Sequence, residues 1–128
     1  HYEFEALPVL VAELDADLLV ALSRVEFEHQ PLSNYPAMVE DIAVIGPEEI
    51  SAAALEAAIH QAGGKLLVNV RLFDVYRGEK LGLGKKSMAY QLTYQAFDRT
   101  LNDKDAATIR NRIVRALERE FGAVLRSQ

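Results

Sequence analysis

Residues 73–94 read FDVYRGEKLGLGKKSMAYQLTY, and the fold turns on whether the middle of this stretch, Arg77 to Ser87, cradles a phosphate or joins two strands. A phosphate loop that opens a helix needs a glycine, four residues, then Gly-Lys and a Ser or Thr, so that backbone N–H groups and one lysine surround the anion. Counting back from Gly84-Lys85, that first glycine falls on Glu79, and Lys86 stands where the hydroxyl is required. The residues after Ser87 have a period of two: Met88, Tyr90, Leu92 and Tyr94 alternate with small or polar residues, as in a strand. The stretch therefore predicts two strands joined by a basic, glycine-containing loop.

Working outward, the first of these strands is predicted from Leu66 to Tyr76 and the second from Lys86 to Ala96. Upstream, Gly63-Gly64 closes an alanine-rich helix that Ser51 caps. Before it Met38 to Ile45 reads as a strand ending at Gly46-Pro47. Downstream, Asp103 is the expected cap of a long helix from Lys104 to about Glu120, with Ile109, Ile113 and Leu117 in an i, i+4, i+8 stripe. Gly122 ends it, and Ala123 to Arg126 is a last short strand. The order βαββαβ is the ferredoxin-like arrangement: an α+β sandwich with two helices on one face of a four-stranded antiparallel sheet, the other face open.

Alternation then assigns the faces. Met88, Tyr90, Leu92 and Tyr94 face the helices, with Ile42 and Val44 of the first strand and Phe73 and Val75 of the second. The open face collects Asp41, Ala43, Asp74, Tyr76, Ser87 and Ala89.

Ahead of this unit, residues 8–14 predict a strand and Asp15 a cap for a helix over residues 17–22, followed by a proline-containing linker over 25–36. The expected division is 1–29 and 30–128. The chain opens on His1, and is expected to be part of a larger protein.

The net charge of −5 is unevenly divided: residues 1–70 hold 2 basic and 12 acidic side chains, residues 71–128 hold 12 basic and 7 acidic. A positive second half suggests a polyanionic partner. With no cysteine there are no disulfides or thiolate metal sites, and His1, His29 and His60 lack metal-ligand spacing. No apolar run approaches the roughly 20 residues of a membrane span, and a cytoplasmic location is expected.

Asp41 and Asp74 have no histidine, nucleophile or third carboxylate beside them, which disfavours acid–base catalysis and leaves solvated carboxylates or acceptors for base amino groups. Tyr76 on an open sheet suits base stacking. Arg77, Lys80, Lys85 and Lys86 make the loop positive, serving either solubility or a phosphate backbone. The same two readings apply to Lys104, Arg112, Arg115 and Arg119 on the long helix, while Arg110 projects toward its apolar side and is expected to snorkel or pair.

Tyr35-Pro36, Glu40-Asp41-Ile-Ala-Val, Leu72-Phe-Asp-Val-Tyr-Arg-Gly78, Gly84-Lys-Lys-Ser-Met-Ala-Tyr90, Arg99-Thr-Leu-Asn-Asp103 and Phe121-Gly together resemble the ferredoxin-fold anticodon-binding domain at the C-terminus of bacterial phenylalanyl-tRNA synthetase β subunits. The resemblance covers about residues 30–126. Residues 8–22 resemble the end of the catalytic-like domain that precedes it.

The resemblance implies that the open face holds the anticodon end of tRNA(Phe), with Ala43, Asp74, Tyr76, Ser87 and, near the end, Arg126 as RNA contacts. Lys85 and Lys86 would meet the backbone. It implies no catalytic centre and no cofactor in this part. It further implies that ATP and magnesium act elsewhere, in an enzyme of two α and two β chains, and the isolated domain is expected to be a monomer. The family usually has arginine where this sequence has Glu40. The alternative is a regulatory ferredoxin-like module that binds a small molecule such as an amino acid and dimerises.

Overall fold

The computed structural model describes residues 9–23 and 32–126, which fall in two units, residues 1–31 and 32–128. In the first unit Ala16–Leu22 form a short helix, α1, capped by Asp15, whose carboxylate accepts the Leu18 N–H at 3.1 Å. The strand predicted for residues 8–14 is not found over 9–14, where the chain is exposed and no strand pairing with a described residue forms; Pro8 lies outside the described residues. A strand needs a neighbouring ladder to satisfy its backbone groups, so local pattern alone does not make one.

The second unit runs β1 (Met38–Pro47), α2 (Ala52–Gly63), β2 (Leu67–Tyr76), β3 (Lys85–Tyr94), α3 (Asp103–Phe121) and β4 (Val124–Leu125). This is the βαββαβ order, and the sheet is antiparallel throughout with strand order β2-β3-β1-β4. The residues after Gly84 enter a strand, so the Arg77–Gly84 segment is a turn between β2 and β3, broken by one 3-10 turn at Glu79–Leu81.

β1 and β3 pair without interruption from Met38 opposite Tyr94 to Pro47 opposite Lys85. Their inward residues Ile42, Val44, Met88, Tyr90, Leu92 and Tyr94 are all buried and meet Leu55 and Ile59 of α2 and Ile109, Ile113 and Leu117 of α3. Burying each such side chain is worth about 1.5–3 kcal/mol, which makes β3 the spine of the domain. The two buried phenols keep partners: Tyr90 Oη donates to the Ala52 carbonyl at 3.3 Å and Tyr94 Oη to Glu40 Oε2 at 3.3 Å. Burial, aided by the Glu56 charge, pushes the Tyr90 phenol up to about 12; burial and the Glu40 carboxylate push Tyr94 up as well.

Ser51 caps α2 as predicted, accepting the Ala54 N–H at 3.2 Å. At α3 the cap is Asn102 rather than Asp103: its amide oxygen accepts Lys104 and Asp105 N–H, and the Asp105 carboxylate accepts the Asn102 N–H in return. Arg99 grips the other side of that carboxylate, and the two contacts hold Asp105 down at about 2.

β2 departs from the prediction. Its pairing with β3 shifts between Leu67 and Asn69 and again between Leu72 and Asp74. Leu72, not Phe73, stands opposite the inward Tyr90, while Phe73 is the extra residue of a bulge and is 49% exposed. A bulge sets two residues against one and so reverses parity beyond it. Val75 opposes inward Met88 but lies near the strand's end and stays 37% exposed.

Candidate nucleic-acid interface

The sheet face away from α2 and α3 is built in rows, each read across the strands from the pairing register. One row is Asp74, Ala89, Ala43 and Arg126; Leu125 pairs with Val44, and the Arg126 N–H donates to the Ala43 carbonyl at 2.8 Å. The next row holds Tyr76, Ser87, Ile45 and Val124. On the other side, Arg71, Gln91 and Asp41 form a polar row in which Gln91 Nε2 donates to Asp41 Oδ1 at 3.2 Å.

Three strands and the tail thus bring Ala43, Asp74, Tyr76, Ser87 and Arg126 together. The Arg126 guanidinium lies 5.8 Å from the centre of the Tyr76 ring, within cation–π range. Tyr76 and Asp74 are exposed, whereas Ser87, the direct neighbour of Tyr76, keeps only 3% of its surface. Gly78 supports the tyrosine from behind: a Cβ there would sit 2.2 Å from Tyr76 Oη, so only glycine lets the phenol lie where it does. An open sheet face carrying an aromatic ring, a cation and an exposed carboxylate between small residues has the ingredients for holding bases.

The sequence profile of the ferredoxin-fold anticodon binding domain matches residues 33–126. The chain belongs to that family. Among relatives, it is 42% identical over 125 residues to the phenylalanine–tRNA ligase beta subunit of Geobacillus kaustophilus, covering 97% of this chain and 15% of that protein. Its identity to the beta subunit of Symbiobacterium thermophilum is 44% over 119 residues, with 93% and 13% covered. To that of Trichormus variabilis it is 44% over 123 residues, with 93% and 15% covered. The chain thus spans no more than 15% of the length of these relatives.

In this anticodon-binding domain the basic loop is less free than its sequence predicts. Arg77 donates twice to Glu48 Oε1, at 2.8 and 2.9 Å, which lowers the Glu48 carboxylate and raises the guanidinium. Lys86 corrects the expectation of an exposed backbone contact. It is the second residue of β3, on the parity of Met88, and only 8% exposed; its ammonium donates to the Glu48 carbonyl at 2.7 Å. Lys80 and Lys85 are the loop cations left exposed without an ion pair to a described residue.

On the helix side, Glu40 and Arg110 explain each other. The Arg110 guanidinium pairs with the Glu40 carboxylate, which also accepts from Tyr94. The acid at this position therefore faces α3 and lies away from the Tyr76 row. Arg112 donates to the Gly63 carbonyl at 2.6 Å and ties α3 to the end of α2; Arg119 pairs with Glu120. The residue that periodicity missed is Phe73, because no local signal marks the bulge that turns it outward. Among the described residues no three His, Cys, Asp or Glu side chains gather as a metal site, and no helix is long and apolar enough to cross a membrane.

Proposed function

We propose that this domain holds the anticodon end of a phenylalanine-accepting tRNA on its open sheet face, as part of the β subunit of a phenylalanine–tRNA ligase. The observation that carries this reading is the meeting of Tyr76, Asp74, Ala43 and Arg126 on one open face in a chain of the anticodon-binding family. Tyr76 supplies a ring for stacking. Asp74 and, once Tyr76 shifts, the Ser87 hydroxyl offer hydrogen bonds to base edges, while Ala43 keeps the floor low. Arg126 shields one part of the Tyr76 ring in the free domain and turns to a phosphate or to the stacked base when RNA arrives. Lys85 and Lys80 add charge contacts that bind more weakly as salt rises. Lys86 contributes by holding the loop to Glu48.

Amino-acid activation with ATP and magnesium belongs to the rest of the assembly, two α and two β chains in the cytoplasm, and the domain itself brings only recognition. The test is to titrate the 128-residue chain with a phenylalanine-accepting tRNA and with the same tRNA carrying a changed anticodon, at low and moderate salt. Tighter binding of the correct anticodon supports base reading. Equal, salt-sensitive binding to both reduces the face to an electrostatic clamp, and dimerisation with an amino acid bound between two sheets would replace the RNA reading altogether.

A further inference from the structure

Phe73 is an exposed aromatic that packing does not explain. The bulge between Leu72 and Asp74 takes it out of the core, where Leu72 occupies the inward place opposite Tyr90. It stands instead at one side of a recess of about 530 Å³, lined also by Ala89, Ala43, Asp41 and Arg126, which continues round the edge of β1 to the Glu40–Arg110 pair at α3. The floor is two alanines, Phe73 is an apolar wall on β2, and Arg126 is a cationic wall beyond β1. The Asp41 carboxylate lies at the rim, oriented by its hydrogen bond from Gln91. Along β2 this recess lies one row from Tyr76, a step of roughly 7 Å, so the two rings serve different neighbours.

We infer that the Phe73 recess is a second base subsite: the nucleotide next to the one on Tyr76 lays its base against the Phe73 ring over Ala43 and Ala89, with Asp41 accepting from its exocyclic amino group. This inference rests on the reading that the open face binds RNA. A nucleobase fits the chemistry because it offers a flat apolar face to the phenyl ring and a donor edge to the carboxylate, and Arg126 stands where the connecting phosphate would pass. A bulge is a known means of re-aiming one side chain without breaking a sheet, and here it adds an aromatic to the binding face rather than to the core.

The experiment uses the full 128-residue chain and its Phe73→Ala, Phe73→Trp and Tyr76→Ala variants. Each is titrated with a phenylalanine-accepting tRNA and with copies in which one anticodon-loop base at a time is removed to leave an abasic sugar. Phe73→Ala is expected to weaken binding by at least about fivefold without lowering the melting temperature, and Phe73→Trp to keep wild-type affinity. The Phe73→Ala penalty should vanish at an abasic position different from the one that abolishes the Tyr76→Ala penalty.

Wild-type affinity in Phe73→Ala, a shared abasic position, or a large fall in melting temperature would each overturn the second subsite while leaving the Tyr76 reading standing. If the unaltered chain does not bind the tRNA at all, the RNA reading falls and takes this inference with it.

Discussion

β2 and β3 lie side by side, each ten residues long, and obey alternation very differently. In β3 every second residue from Lys86 to Tyr94 is buried. In β2 the burial pattern breaks twice, and its last four residues are all exposed. The regular strand is central and covered, so its period is enforced by the core; the irregular one is an edge, free to spend residues on the open face. Stability is concentrated in β3, and β2 leaves Phe73, Asp74 and Tyr76 exposed.

Substitution should separate these roles, most sharply in folding stability. Leu92→Ala removes a fully buried side chain from β3 and is expected to cost about 2–5 kcal/mol in denaturant unfolding, whereas Asp74→Ala on β2 should stay within about 0.5 kcal/mol. A comparable cost for Asp74→Ala would erase the distinction.

The two adjacent lysines make a narrower comparison. Lys86→Ala leaves the Glu48 carbonyl without its ammonium partner and should cost about 1–3 kcal/mol of stability. Lys85→Ala should leave the melting temperature alone and lower the slope of log affinity against log salt by about 1. Equal melting temperatures for the pair would mean that Lys86 is a surface lysine after all.

Tyr76→Ala acts on binding alone, with an expected loss of about 1–3 kcal/mol of RNA affinity and unaltered unfolding. Collapse of the fold would place Tyr76 in the core and the face assignment would be wrong.

The smallest expected effect is on pH dependence. Tyr90 is raised from its ordinary value to about 12, so the folded state favours the neutral phenol. That stabilisation is complete below about pH 10 and is lost as pH rises toward 12. Tyr90→Phe should flatten this alkaline limb in melting curves, and an unchanged limb would put the titration elsewhere.

Much of the fold is legible in the residues. The period of β3 and its glycine-bounded loop lead to the βαββαβ order, and Ala43, Asp74, Tyr76 and Ser87 then fall on one face. The features that escape do so for identifiable reasons. Lys86 reads as part of the loop because a charged side chain at a strand's start conceals its inward parity; counting two back from Met88 reveals it. Phe73 depends on a bulge, which is a matter of pairing with β3 and leaves no mark in periodicity. Asn102 and Asp103 are both good caps, and adjacent candidates are separated only by geometry. The Glu40–Arg110 pair joins residues 70 apart and becomes visible only when α3 lies along β1.

The most direct test of the central claim is to track the backbone amide signals of the 128-residue chain while an anticodon stem-loop of a phenylalanine-accepting tRNA is added. The expected result is perturbation at Ala43, Asp74, Tyr76, Ser87 and Arg126, with the amides around Arg112, Arg115 and Arg119 of α3 unmoved. Perturbation confined to α3, with β2 and β3 silent, would contradict the assignment of the open sheet as the RNA-binding face.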